Sequence, residues 1–95
     1  MSDKPIKVLL VEDNLEYAHL IRAMVSGMGG SEFELVHVER LNDALKHLSE
    51  ESWNVVLLDL LLPDSRGLDT VVKVQAQAPS VPIVVLTGLD DEALA

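Results

Sequence analysis

Lys7-Val8-Leu9-Leu10-Val11-Glu12-Asp13-Asn14 is a short apolar run that turns abruptly acidic. Four successive apolar residues, two of them β-branched, read as a strand buried on both faces. The same pattern recurs twice: Asn54-Val55-Val56-Leu57-Leu58-Asp59 and Pro82-Ile83-Val84-Val85-Leu86-Thr87. Glu34-Leu35-Val36-His37-Val38 is a weaker strand with partial alternation, as expected near a sheet edge.

Helical stripes separate these runs. From Asn14 to about Met28, apolar residues fall at Leu15, Ala18, Leu20, Ile21, Met24, Val25 and Met28, a wider stripe than one buried face needs. Asn14 is a plausible N-cap, and Gly27, Gly29 and Gly30 are breakers at the far end. Leu41, Ala44, Leu45 and Leu48 give a clean amphipathic helix. Leu68, Val71, Val72 and Gln75 repeat that spacing before Pro79, and Asp90 to Ala95 starts a fourth helix. Strict alternation of strands and helices implies an α/β domain with a parallel sheet and right-handed crossovers.

The chain has 95 residues, which is one small domain, and 48% are hydrophobic, enough for a packed core. Only 3% are aromatic, so that core is built from Leu, Val, Ile and Ala. Seven basic residues face 16 acidic ones, for a net charge of −9. Such a chain is repelled by phosphate backbones and anionic membranes, so neither nucleic acid nor a membrane is expected as a partner. A divalent cation or a basic protein surface is the natural complement. With no cysteine, no signal core and no apolar stretch of membrane-spanning length, the chain reads as soluble and cytoplasmic.

In an open α/β sheet, ligands bind beyond the carboxyl ends of the strands. The first strand delivers Glu12, Asp13 and Asn14 there, the third delivers Asp59, and the fourth delivers Thr87 and Gly88. Singly, each has an ordinary explanation: a helix cap for Asp13 or Asn14, a solvated strand end for Glu12, a turn for Asp59. Together they do not. If the first strand lies between the second and third, three carboxylates converge, repel one another and raise their own pKa values unless a cation sits among them. Oxygen ligands of this kind suit Mg²⁺, or Mn²⁺. A metal-bound carboxylate beside a hydroxyl suggests phosphoryl transfer, with Asp59 as nucleophile and Thr87 bonding a phosphoryl oxygen.

Three motifs, Lys7 to Asn14, Val56-Leu57-Leu58-Asp59-Leu60-Leu61-Leu62-Pro63 with Gly67 beyond, and Ile83-Val84-Val85-Leu86-Thr87-Gly88, closely resemble the receiver domain of two-component response regulators. The resemblance implies a flavodoxin-like parallel sheet with helices on both faces. It also implies that Asp59 is the phosphoacceptor, served by a histidine kinase or a histidine phosphotransfer protein. Glu12 and Asp13 match the acidic pair that holds Mg²⁺ with Asp59, and Leu61 matches the position whose backbone carbonyl joins the metal. Thr87 matches the switch hydroxyl and Gly88 the small residue beside the site. Such a domain is no enzyme in the usual sense, but it assists its own phosphorylation and dephosphorylation.

The family also implies a fifth strand carrying a Lys, and a last helix, which nothing in these 95 residues matches. The chain therefore reads as a receiver cut inside its fourth helix, with sheet order 2-1-3-4. Its fourth strand would be an apolar edge, and Leu20 and Met24 would lie where the last helix packs. Self-association, with two-fold symmetry, is the expected consequence.

Two other functions remain. An aspartyl-phosphate phosphohydrolase also uses a Mg²⁺-bound Asp at a strand end, but that class carries Asp-x-Asp, whereas Leu60-Leu61 follows Asp59. A protein-binding module without phosphotransfer is the other, because the Lys is missing. His19, His37 and His47 show no ligand spacing and read as surface or helix-face residues, Asp64-Ser65-Arg66-Gly67 reads as a turn feeding the third helix, and Gly27-Met28-Gly29-Gly30 follows a helix, the wrong context for a dinucleotide loop.

Overall fold

The computed structural model describes residues 5–29 and 32–86. The elements run β1 (Ile6–Val11), α1 (Leu15–Gly29), β2 (Phe33–Val38), α2 (Leu41–Glu50), β3 (Val55–Asp59), β4 (Leu61–Leu62), β5 (Ser65–Arg66), α3 (Leu68–Gln77) and β6 (Ile83–Leu86). The main sheet has order β2-β1-β3-β6, and every pair in it is parallel. This is the expected 2-1-3-4 order, with β6 as the fourth strand. The proposed fourth helix, from Asp90, lies outside the described residues.

Alternation along β1 and β3 divides the core between the two faces. Leu9, Val11, Val56 and Leu58 join Leu41, Ala44 and Leu48 of α2, Val74 of α3, and Trp53, Leu62 and Ala78. Leu10 turns the other way and packs with Ala18 and Ile21 of α1, with Leu57 beside them. Residues 8–11 of β1 are buried, as a central strand covered on both faces requires. Edge strand β2 is mostly half-buried. On β6 only Ile83 and Leu86 are half-buried, while Val84 and Val85 are exposed, so the expectation of a solidly buried fourth strand is not met. Among the described residues β6 pairs on one side only, with β3.

The helices follow their stripes with one correction. Asn14 does cap α1, its Oδ1 accepting the Tyr17 N–H at 2.9 Å, but the helix runs through Gly27 to Gly29. In α2, Leu41, Ala44 and Leu48 are buried, as the pattern predicts. In α3 the buried residues are Thr70 and Val74, whereas Leu68, Val72 and Gln75 are exposed and Val71 is half-buried. The helix is thus turned by about one residue, roughly 100°, from the face its apolar pattern selects. Thr70 can occupy the core because its hydroxyl is matched: Ser65 Oγ lies 2.7 Å from Thr70 Oγ1.

At the amino edge of the sheet, the Lys7 N–H donates to Asn54 Oδ1 at 2.7 Å, and the Lys7 ammonium pairs with Glu51. Trp53 is buried there, its Nε1–H donating to the His47 carbonyl at 3.0 Å. No helix among the described residues is long and apolar enough to cross a membrane.

Candidate functional site

Because β1 sits between β2 and β3, its carboxyl end and that of β3 deliver their acids side by side. Carboxylate oxygens of Glu12, Asp13 and Asp59 all lie within 4.8 Å of one another. Two of the three are withdrawn from water: Glu12 is 3% exposed and Asp59 7%, while Asp13 is exposed. Glu12 is thus not the solvated strand-end charge that its position alone would suggest.

Backbone contacts aim these groups. The Leu61 N–H donates to Asp59 Oδ1 at 3.2 Å, and the Asn14 N–H donates to Glu12 Oε2 at 3.1 Å. Glu12 itself is tied to β2: its N–H donates to the Val38 carbonyl at 3.0 Å, and His37 Nε2 donates to the Glu12 carbonyl at 2.7 Å. His37 is therefore a half-buried support for the site, contrary to its reading as an uninvolved surface residue.

Burial pushes the Glu12 carboxyl up to about 8. The Asn14 N–H opposes this, and a hydrogen bond with Asp59 and the charges of Asp59 and Asp13 add to it. Physically, the cluster holds a proton between buried acids where a cation could sit. The donor set is all oxygen, two donors are held rigidly by strand ends, and the third opens to solvent. That suits a hard divalent ion that keeps several waters, so the residues fit Mg²⁺.

Of the other residues singled out in the sequence, Leu61 is adjacent to the cluster through its bond to Asp59, at the start of the β4–β5 ribbon. Thr87 and Gly88 lie outside the described residues. The ribbon itself, Leu61–Leu62 antiparallel to Ser65–Arg66, escaped a reading that saw only a turn. It returns the chain from the site to α3 through Gly67, whose φ of 71° favours glycine and whose N–H donates to the Leu60 carbonyl at 2.8 Å.

Comparison with known proteins agrees with this geometry. The swarming motility regulation protein RssB of Serratia marcescens is 35% identical over 90% of this chain and 37% of its own length. The protein-glutamate methylesterase/protein-glutamine glutaminase 2 of Paramagnetospirillum magneticum is 34% identical over 96% of this chain and 26% of its own. The chain thus spans well under half the length of these relatives. Among solved structures, the receiver domain of the sensor histidine kinase PA1611 from Pseudomonas aeruginosa PAO1, with magnesium coordinated in its active-site cleft, superposes with a TM-score of 0.78. It is 26% identical, and the match covers 94% of this chain and 75% of that one. The family model for the response regulator receiver domain matches residues 8–95. A match over that much of the sequence, on a sheet of the corresponding order, means that this chain belongs to the response regulator receiver domains.

Proposed function

We propose that the chain is the phosphoacceptor of a two-component relay. In this reading Asp59 takes a phosphoryl group from the phosphohistidine of a histidine kinase or a histidine phosphotransfer protein. The observation that carries it is the gathering of Glu12, Asp13 and Asp59 within 4.8 Å at the carboxyl edge of the sheet. Three acids so placed repel one another, a cost that cation binding offsets.

Glu12, Asp13 and Asp59 would hold Mg²⁺ or Mn²⁺, with the Leu61 carbonyl as the fourth protein ligand that family resemblance suggests. The ion would supply positive charge against the oxygens of the transferring group. The remaining work falls to the chain. A carboxylate oxygen of Asp59 attacks phosphorus, forming an acyl phosphate as the phosphorus–nitrogen bond to the donor imidazole breaks. The Leu61 N–H, on Asp59 Oδ1, orients that carboxylate. Glu12 and Asp13 stay out of covalent chemistry and complete the anionic set. Thr87, by its position after β6, would hydrogen-bond a phosphoryl oxygen, with Gly88 leaving room beside it.

The test is incubation with Mg²⁺ and a small-molecule phosphodonor, followed by intact-mass analysis and peptide mapping. One acid-labile and hydroxylamine-labile phosphoryl group on Asp59, lost in Asp59→Asn, is expected. A wild-type chain that stays unmodified, or an Asp59→Asn variant that is labelled equally, overturns the reading.

A further inference from the structure

Helix α2 has no cap of its own. Arg40 precedes it in extended conformation and offers no side-chain hydrogen bond to the first turn. The cap comes from 23 residues downstream: the Leu41 N–H donates to Asp64 Oδ1 at 2.8 Å and the Asn42 N–H to Asp64 Oδ2 at 2.9 Å. Asp64 stands at the tip of the β4–β5 ribbon, in the connection between Leu62 and Ser65. The ribbon's other end reaches the acidic site, where Leu61 bonds to Asp59.

We propose that Asp64 is a positioning residue for the acidic site: by gripping the first turn of α2 it fixes the β4–β5 ribbon, and through the ribbon the Leu61 backbone that faces Asp59. The proposal rests on the phosphoacceptor reading for its ligand readout, and on the hydrogen bonds alone for its mechanics. A ribbon of two residues per strand has little stability of its own and must be held from outside. Leu62, buried in the core beside Leu41, holds its middle. The Ser65–Thr70 hydroxyl pair holds the α3 side. Asp64 holds the α2 side, with both oxygens engaged and its negative charge at the positive end of the helix dipole.

The carboxylate is in its charged form there. Its desolvation, which would raise its pKa, is outweighed by the N–H groups of Asn42, Leu41 and Asp64 itself and by the Arg40 charge, so the pKa lies below the usual value.

A residue that only capped α2 would affect α2 and overall stability. A positioning residue also alters the site at the far end of the ribbon. The comparison uses Asp64→Ala, Asp64→Asn, and Asn54→Ala as a control that removes a backbone-to-side-chain bond at the opposite edge of the sheet. The readouts, on the whole chain by NMR, are the Mg²⁺ dissociation constant and hydrogen exchange at the Leu61 and Gly67 amides. Asp64→Ala should raise the dissociation constant and speed both exchanges roughly fivefold, the ratio matching a typical helix cap. Asp64→Asn keeps one acceptor oxygen and should fall between; it also serves if the alanine variant does not fold. Asn54→Ala should leave both readouts unchanged. Asp64 variants that match the control, with faster exchange confined to α2, overturn the proposal. If the wild-type chain takes up no Mg²⁺, the metal reading fails by itself, and exchange at Leu61 and Gly67 still decides the positioning role.

Discussion

Raising the pH in the absence of divalent cations should destabilise this protein, and Mg²⁺ should remove the effect. In the unfolded chain Glu12 titrates near its ordinary value of 4.5; in the folded chain burial beside Asp59 moves it to about 8. Below the lower value both states carry the proton and Glu12 contributes no penalty. Between the two, the folded state binds a proton that the unfolded state has lost, so stability falls as pH rises. Above about 8 the loss is complete and constant. At about 1.4 kcal/mol per pH unit, that gap corresponds to a loss on the order of 5 kcal/mol. Such a loss is a large part of the 5–15 kcal/mol or so that holds a typical domain together. Mg²⁺ would take the proton's place, so binding should release protons and tighten with pH over the same window.

The assay is urea denaturation followed by the fluorescence of Trp53, the single tryptophan, which is buried away from the site at the amino edge. Stability in EDTA should fall steadily from about pH 5.5 to about pH 7.5, and saturating Mg²⁺ should flatten the curve. Glu12→Gln, which buries a neutral amide, should flatten the EDTA curve and raise stability at the alkaline end. Stability in EDTA that does not change over this window, or a Glu12→Gln variant weaker than wild type at the alkaline end, would refute the account of Glu12 as a proton-holding member of the cluster.

Three further outcomes are expected. Asp13→Ala should abolish the rise in melting temperature that Mg²⁺ produces while leaving the EDTA melting temperature unchanged or higher, since it removes one acid from a cluster whose charges repel; an unchanged Mg²⁺ response would remove Asp13 from the ligand set. Thr70→Val keeps the shape of a fully buried side chain but leaves the Ser65 hydroxyl without its partner, which at about 1 kcal/mol should lower the melting temperature by roughly 4–8 °C in calorimetry. The 95-residue polypeptide prepared by itself should self-associate through β6, whose Val84 and Val85 are exposed, or through α1, where Leu20 and Met24 are exposed; light scattering that reports a monomer across a dilution series would argue against this.

The sheet was legible because its information is local. Residues Val8 to Val11 need both faces covered, which implies a parallel sheet with crossover connections. The order that puts β1 between β2 and β3 came instead from the family resemblance, since the equally apolar run of β6 lies at an edge. The acidic cluster was legible for a related reason: once β1 lies between β2 and β3, Glu12, Asp13 and Asp59 have nowhere to go but one edge. The α3 face was not. Leu68 and Val72 are apolar yet exposed, and Thr70 is polar yet buried, because a hydroxyl five residues away satisfies it. No periodicity count can weigh a partner it does not see.

Asp64 is the more instructive case. Its contact with α2 joins residues 23 apart and has no signature in either segment alone. A signal nevertheless existed in what α2 lacks. Its stripe of Leu41, Ala44 and Leu48 marks a buried amphipathic helix, but the residue before it is Arg40, which is not a capping residue. A helix packed at its first residue still has N–H groups there to satisfy. An uncapped helix start of this kind calls for an acceptor from another segment. In a parallel α/β sheet the loops at the same edge are the ones within reach, and the connection after β3 holds a carboxylate at its tip. The cap that α2 lacks and the acid the turn did not need are one interaction, and it joins a core helix to the loop that carries Leu61 to Asp59.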